Sequence, residues 1–380
     1  MSGRERMLAA LHRQPVDRIP WSPLLDDYFL SSVPAGVPRE AFAFCRYIGS
    51  DIFEWHPTAR RTIYRDVTIS SHRDGDQVWT TIETPVGRLT ERRQVTPVTT
   101  FIVEPKIKSV ADFGPYLYWV EHTEYQPDYE SFLDVERRIG EDGLAIVSGP
   151  QSPAQFHIGE DMGLERFVYF VSDSPEELTA FLDAIHEKQK QAYRIAAESP
   201  AVAVLAPEDV STSTMSPTLF VRFTRRYLNE YADIVHAAGK LFLAHMCGLL
   251  KGMAPYIADS RIDGIESLTP PTTGDLPVDQ ARAAWPGKVI IGGLEPKTLA
   301  MCSEPEVRAH VVDTLSRAAP GDGFILSTGD ATAHGTPVRN LMAVTEVVRE
   351  RGQCWSACAD HIPGFDIAGE RPQHHDRIGG

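Results

Sequence analysis

The residues in this chain best suited to chemistry are His245 and Cys247, in the run His245-Met246-Cys247-Gly248. Alternate side chains of an extended strand share one face, so an imidazole and a thiol two positions apart point the same way. Glu266 follows 19 residues later (266 − 247), and Asp330 and His334 lie beyond Leu326-Ser327-Thr328-Gly329. Imidazole, thiolate and carboxylate are the donors of tetrahedral zinc sites, which makes His245, Cys247, Glu266 and Asp330 a candidate metal set. His334 reads as a further ligand, as a hydrogen-bond partner of a ligating carboxylate, or as a loop residue. Buried cysteine also serves as a small hydrophobe, so the pair alone leaves a purely structural reading open.

A second set of polar and aromatic residues falls where other strands should end: Asp26, Asp27, Tyr28, Trp55, His56, Gln151, Glu208 and Asp209, with Trp21 within the first strand. Carboxylates and imidazoles exchange protons, so Asp26, His56, Glu208 and Asp209 are the candidate acid–base groups. Trp21, Asp27, Tyr28, Trp55, Gln151 and His334 are candidate substrate contacts. Taken together they describe an acidic, aromatic-edged cavity, which suits a neutral or cationic small substrate better than an anionic one.

These residues need elements to hold them. Short apolar runs alternate with amphipathic stretches, the signature of a parallel sheet with crossover helices. The strand candidates are 19–25, 51–56, 144–149, 201–210, 240–247, 262–268, 289–294 and 323–328. Ser216-Pro217 opens a helix with an N-cap serine and a first-turn proline, and Gly239 closes it. Between 62 and 99 the period changes to two, with turns at Asp74-Gly75 and Pro85-Val86-Gly87, which predicts an antiparallel insertion. Eight parallel strands in a chain of 380 residues predict one α/β domain, a (β/α)8 TIM barrel spanning 1–355, with a loosely held tail from 356. No G-x-G-x-x-G follows the first strand, which argues against a dinucleotide-binding open sheet. In a barrel, every candidate above falls on the C-terminal rim, where such folds place catalysis.

Composition narrows the partners. Formal net charge is −15 and no Lys/Arg-rich stripe is present, so nucleic acid is not expected as a partner. No apolar run approaches the roughly 20 residues of a membrane span, and the N-terminus lacks the apolar core of a signal peptide. Five scattered cysteines do not form a disulfide framework, and the expected compartment is the cytoplasm. Cys354 and Cys358 have no second pair and read as structural. A homodimer is compatible with all of this.

Several of the same runs resemble the uroporphyrinogen decarboxylase superfamily and its corrinoid-linked methyltransferase branch. They are Arg13-Gln14-Pro15-Val16-Asp17-Arg18-Ile19-Pro20, Ser148-Gly149-Pro150, Glu208-Asp209 with Met215-Ser216-Pro217, and, most specifically, His245-Met246-Cys247-Gly248. Leu326-Ser327-Thr328-Gly329-Asp330, with Thr336-Pro337 and Asn340, resembles the closing motif. True porphyrinogen decarboxylases carry an arginine-rich segment after strand one; this chain has Ser22-Pro23-Leu24-Leu25-Asp26-Asp27. The methyltransferase branch binds zinc through His-x-Cys and a later cysteine, and a related barrel, cobalamin-independent methionine synthase, adds a glutamate that Glu266 resembles. Asp330 stands where those methyltransferases have cysteine, giving a harder and more Lewis-acidic site. The resemblance implies a zinc-dependent enzyme that moves a methyl group from a small O-, N- or S-methyl compound to a corrinoid (cobalamin) on a partner protein. It leaves two alternatives: a metal-free lyase acting on a small carboxylic acid, and a non-catalytic binding barrel.

Overall fold

The computed structural model describes residues 1–352, so Cys354, Cys358 and the predicted tail lie outside the described residues. Strand three (Gly143–Ala145 and Val147–Ser148) leads a parallel sheet. It continues in chain order through strand four (Ala203–Pro207), strand five (Leu241–His245), strand six (Gly264–Leu268), strand seven (Val289–Leu294) and strand eight (Phe324–Thr328). Strand two (Ile52–Glu54) pairs in parallel with Gly143–Ala145. Strand one is reduced to one parallel bridge, Trp21 to Leu326. The Leu326 amide donates to Pro20 O at 2.9 Å, Ser22 N donates to Leu326 O at 3.0 Å, and Asp51 N donates to Trp21 O at 2.8 Å. Those bonds carry the ring from strand eight through strand one to strand two, and the sheet is a (β/α)8 barrel.

Parity along the strands sorts the core into two layers. Leu144, Ile146, Ala203, Leu205, Leu243, Val289, Ile291 and Ile325 fill the barrel interior with Met7, Ala10 and Leu11 of the first helix. Intervening residues such as Val147, Val204, Phe242, Ile265, Ile290 and Phe324 face outward to the helices. The first helix (Gly3–Leu11) begins with a capping box between Ser2 and Glu5. Its Arg6 reaches buried Asp51 at 2.7 Å, and Arg18 grips the same carboxylate at 2.8 and 2.9 Å. Arg18 of the Asp17-Arg18 motif therefore joins Arg6 in an ion-pair knot on buried Asp51 that fastens strand one to strand two.

The expected helix after strand four has Ser216 as its cap, with Ser216 Oγ accepting from Leu219 N and Pro217 in the first turn. One π-type turn (Val221–Arg225) interrupts it before Arg226–Ala237, and Gly239 sits at φ 73° just beyond its end. The insertion is a four-stranded antiparallel sheet (Thr68–Asp74, Gln77–Thr84, Gly87–Val95, Thr100–Glu104) with turns at the two expected places. It reaches further than expected: Arg60–Tyr64 pairs antiparallel with Thr123–Pro127, so a two-stranded ribbon joins it to the barrel.

Candidate active site

Strand five ends at the barrel mouth with His245. Leu243 lies inside the barrel, so by parity His245 does too, and Glu266 stands beside it in register on strand six. His245 Nδ1 lies 2.5 Å from Glu266 Oε2, and Glu266 is buried. Burial works against the charged imidazole, yet the Glu266 carboxylate and the nearby Cys247 outweigh it and hold the pKa of His245 well above the ordinary range. A buried carboxylate on Nδ1 fixes the ring orientation and leaves Nε2 as its free donor position. Trp55 lies against the ring, with centroids 5.6 Å apart, and its buried indole N–H has no partner.

Glu208, after strand four, is fully buried and accepts from Ser152 N and Ser152 Oγ, both at 2.6 Å. Burial pushes its carboxyl up to about 7; the two Ser152 hydrogen bonds pull the other way and Asp209 adds to the rise. A carboxyl poised there both gives and takes a proton near neutrality. Asp209, its neighbour, is exposed. His56 is also exposed, stacked on Trp55 at 4.2 Å and bound through Nδ1 to Glu54 Oε1 at 2.7 Å; that hydrogen bond raises its pKa.

Across the mouth, the loops after strands one and eight meet. Tyr28 stacks on His334 with centroids 4.3 Å apart, both rings exposed. Asp26 spends one carboxylate oxygen as the N-cap of helix Asp27–Ser32, accepting from Phe29 N at 2.7 Å, and Asp27 is exposed in that helix's first turn. Asp330 Oδ1 accepts from Ala331 N at 2.7 Å, closing its own turn. Gln151 faces a neighbouring cavity rather than the His245 group. Trp21 is not a substrate contact: parity turns it outward into the core, where its indole donates to Thr345 Oγ1 at 3.1 Å.

The donor atoms suit zinc only in part. Among the described residues, His245, Cys247, Glu266 and Asp330 do not gather three ligand atoms within 4.8 Å of one another. Glu266 is engaged by the imidazole, so it fits the role of orienting carboxylate, while His245 Nε2, on giving up its proton, and Cys247 Sγ fit as two donors. The group that does gather is His186, Glu187 and Glu230 on the outer helices. Lys190 Nζ already sits there, 2.6 Å from Glu187 and 2.8 Å from Glu230, so it is an ion-pair cluster. Sequence reasoning missed Ser152, which positions Glu208, and Glu54, which holds His56; neither has a spacing that marks it.

A barrel with its polar groups gathered at the C-terminal mouth defines the class. Residues 144–351, more than half of the chain, match the family model described as uroporphyrinogen decarboxylase (URO-D), and the chain belongs to that family. It is similar to the uroporphyrinogen decarboxylase of Anaeromyxobacter dehalogenans (strain 2CP-C), 24% identical over 216 residues, 55% of this chain and 58% of that protein. The chain thus matches little more than half the length of that curated relative. A solved methyltransferase from Methanosarcina mazei has the same fold, with a TM-score of 0.61 and 16% identity, covering 92% of this chain and 99% of that one. No helix among the described residues is long and apolar enough to cross a membrane.

Proposed function

We propose that the chain is a methyltransferase that takes a methyl group from a small O-, N- or S-methyl compound and passes it to a corrinoid carried by a separate protein. The observation that carries this reading is the mouth of strand five: an imidazole locked by buried Glu266, with the Cys247 thiol beside it. His245 Nε2 and Cys247 Sγ are the residues that would hold a zinc ion. The chemistry such an ion would supply is Lewis acidity toward the heteroatom of the methyl donor. Glu208, protonated below about pH 7, is the group that would deliver a proton to the departing oxygen, nitrogen or sulfur. Ser152 fixes the Glu208 carboxyl through two hydrogen bonds, and the Trp55 ring packs against His245. The Tyr28–His334 stack closes the far side of the mouth.

The test is demethylation of a panel of methyl ethers, methylamines and methyl thioethers in the presence of a corrinoid protein. Methyl transfer that falls at least tenfold in Cys247→Ser, with the fold intact, supports the reading. Full activity in that variant contradicts it, as does the absence of transfer from every class of donor.

A further inference from the structure

Beside the barrel mouth, a cavity of about 320 Å³ opens between the ribbon Arg60–Tyr64/Thr123–Pro127, the helix Phe113–Glu121 and the long helix Pro175–Glu198. None of His245, Cys247, Glu266 and Glu208 lines it. It touches the active site through one segment: Pro150 and Gln151 form part of its wall, and the next residue, Ser152, holds Glu208.

The chemistry of the wall is one-sided. Arg60 and Lys188 line the cavity, and no aspartate or glutamate does, in a chain whose net charge is −15. Among the described residues neither cation makes an ion pair; Arg60 donates to Ser148 O at 3.0 Å and Lys188 to Glu121 O at 3.2 Å, both neutral carbonyls. Two buried donors on this wall, Arg60 Nε and the indole Nε1 of Trp119, have no acceptor. Buried N–H groups are almost always paired, so two orphans on one cavity wall call for an acceptor from outside the chain. The rest of the lining is aromatic: Trp119 packs against Tyr64 and Tyr116, with centroids 5.7 and 5.4 Å away, and Tyr125 lies under the Arg60 guanidinium. A guanidinium matches a carboxylate bidentately, and aromatic walls favour a flat apolar body. The volume is at the low end for small-molecule pockets.

We propose that this cavity binds a small aromatic carboxylate, its carboxylate on Arg60 and Trp119 Nε1 and its ring among Tyr64, Trp119 and Tyr125. The site stands independently of the methyl-transfer reading, since no residue of the His245 group takes part.

The test is calorimetric titration of the full chain with benzoate, compared with uncharged benzamide and with inorganic phosphate. Saturable benzoate binding at least about tenfold tighter than either comparison compound is expected, as the charge and the ring are both recognised. Arg60→Gln should weaken it by about tenfold or more, and Trp119→Phe, which keeps the ring and removes the donor, by several-fold. Because Arg60 also ties to Ser148 O, Trp119→Phe is the variant that keeps the proposal testable if Arg60→Gln fails to fold. Absence of benzoate binding at about 10 mM overturns the proposal. So does equal binding of benzamide or phosphate, or benzoate affinity unchanged in a folded Arg60→Gln or in Trp119→Phe.

Discussion

At the residue scale, Glu208 and Glu266 are two buried carboxyls with opposite duties. Glu208 is protonated in a window where an unfolded glutamate is not, because burial raises its pKa from 4.5 to about 7. The native state therefore binds more protons between those values, and stability falls as pH rises through them. The contribution is fully present below the unfolded value and gone above the folded one. Chemical denaturation from pH 5 to 8 should show a downward slope of at most about 1.4 kcal/mol per pH unit near pH 5–7, flattened in Glu208→Gln. Methyl transfer should decline above about pH 7 in the parent, and Glu208→Gln should be slow at every pH, with the parent's profile as the control. Glu266 does not need to touch the substrate to matter. Glu266→Gln keeps the volume and weakens the hold on His245, so metal affinity should drop by about 10–100-fold, read by chelator competition on the folded variant.

At the element scale, legibility in the sequence followed continuity of the local signal. Strand seven spans the expected 289–294, because Val289-Ile290-Ile291-Gly292-Gly293-Leu294 is one apolar run buried on both faces. Strand one shrank from 19–25 to a bridge at Trp21, since Pro20 and Pro23 have no N–H to give a ladder. That loss shifted the functional assignment of Trp21: it belongs to the outward layer, not the mouth. Trp21→Phe should cost about 1 kcal/mol through the lost bond to Thr345 and leave KM unchanged, measured by denaturation and steady-state kinetics. The knot on Asp51 replaces the missing ladder, so Asp51→Ala, which strands Arg18 and leaves Arg6 with Asp17 alone, should destabilise by about 3–5 kcal/mol in the same denaturation assay. The far end of the insertion escaped the sequence because Thr123-Glu124-Tyr125-Gln126-Pro127 is polar and pairs with a segment some 60 residues away (123 − 64 = 59).

At the scale of the whole molecule, the barrel brings His245, Glu266, Trp55 and Glu208 to one mouth from four different strand ends. Strand counting anticipated that gathering, because it depends only on the alternation of elements. What each residue does depends on distances of an ångström, and those come from packing between segments far apart in the chain. Glu266 reads as a ligand from its place on the next strand; the structure sets its Oε2 against His245 Nδ1, and on that contact we propose it as the orienting group. Arg60 carried no motif at all, and only the fold puts it with Trp119 in one cavity. The net charge of −15 and the cationic lining of this cavity are separate features, and net charge alone hides the second.

The central claim is that His245 and Cys247 form a metal-holding pair at this mouth. Elemental analysis of protein purified without chelators tests it most directly. About one zinc per chain, lost in Cys247→Ser and in His245→Ala while the fold is retained, is the predicted result. Less than about 0.1 zinc per chain, or full zinc retention in both variants, would contradict it.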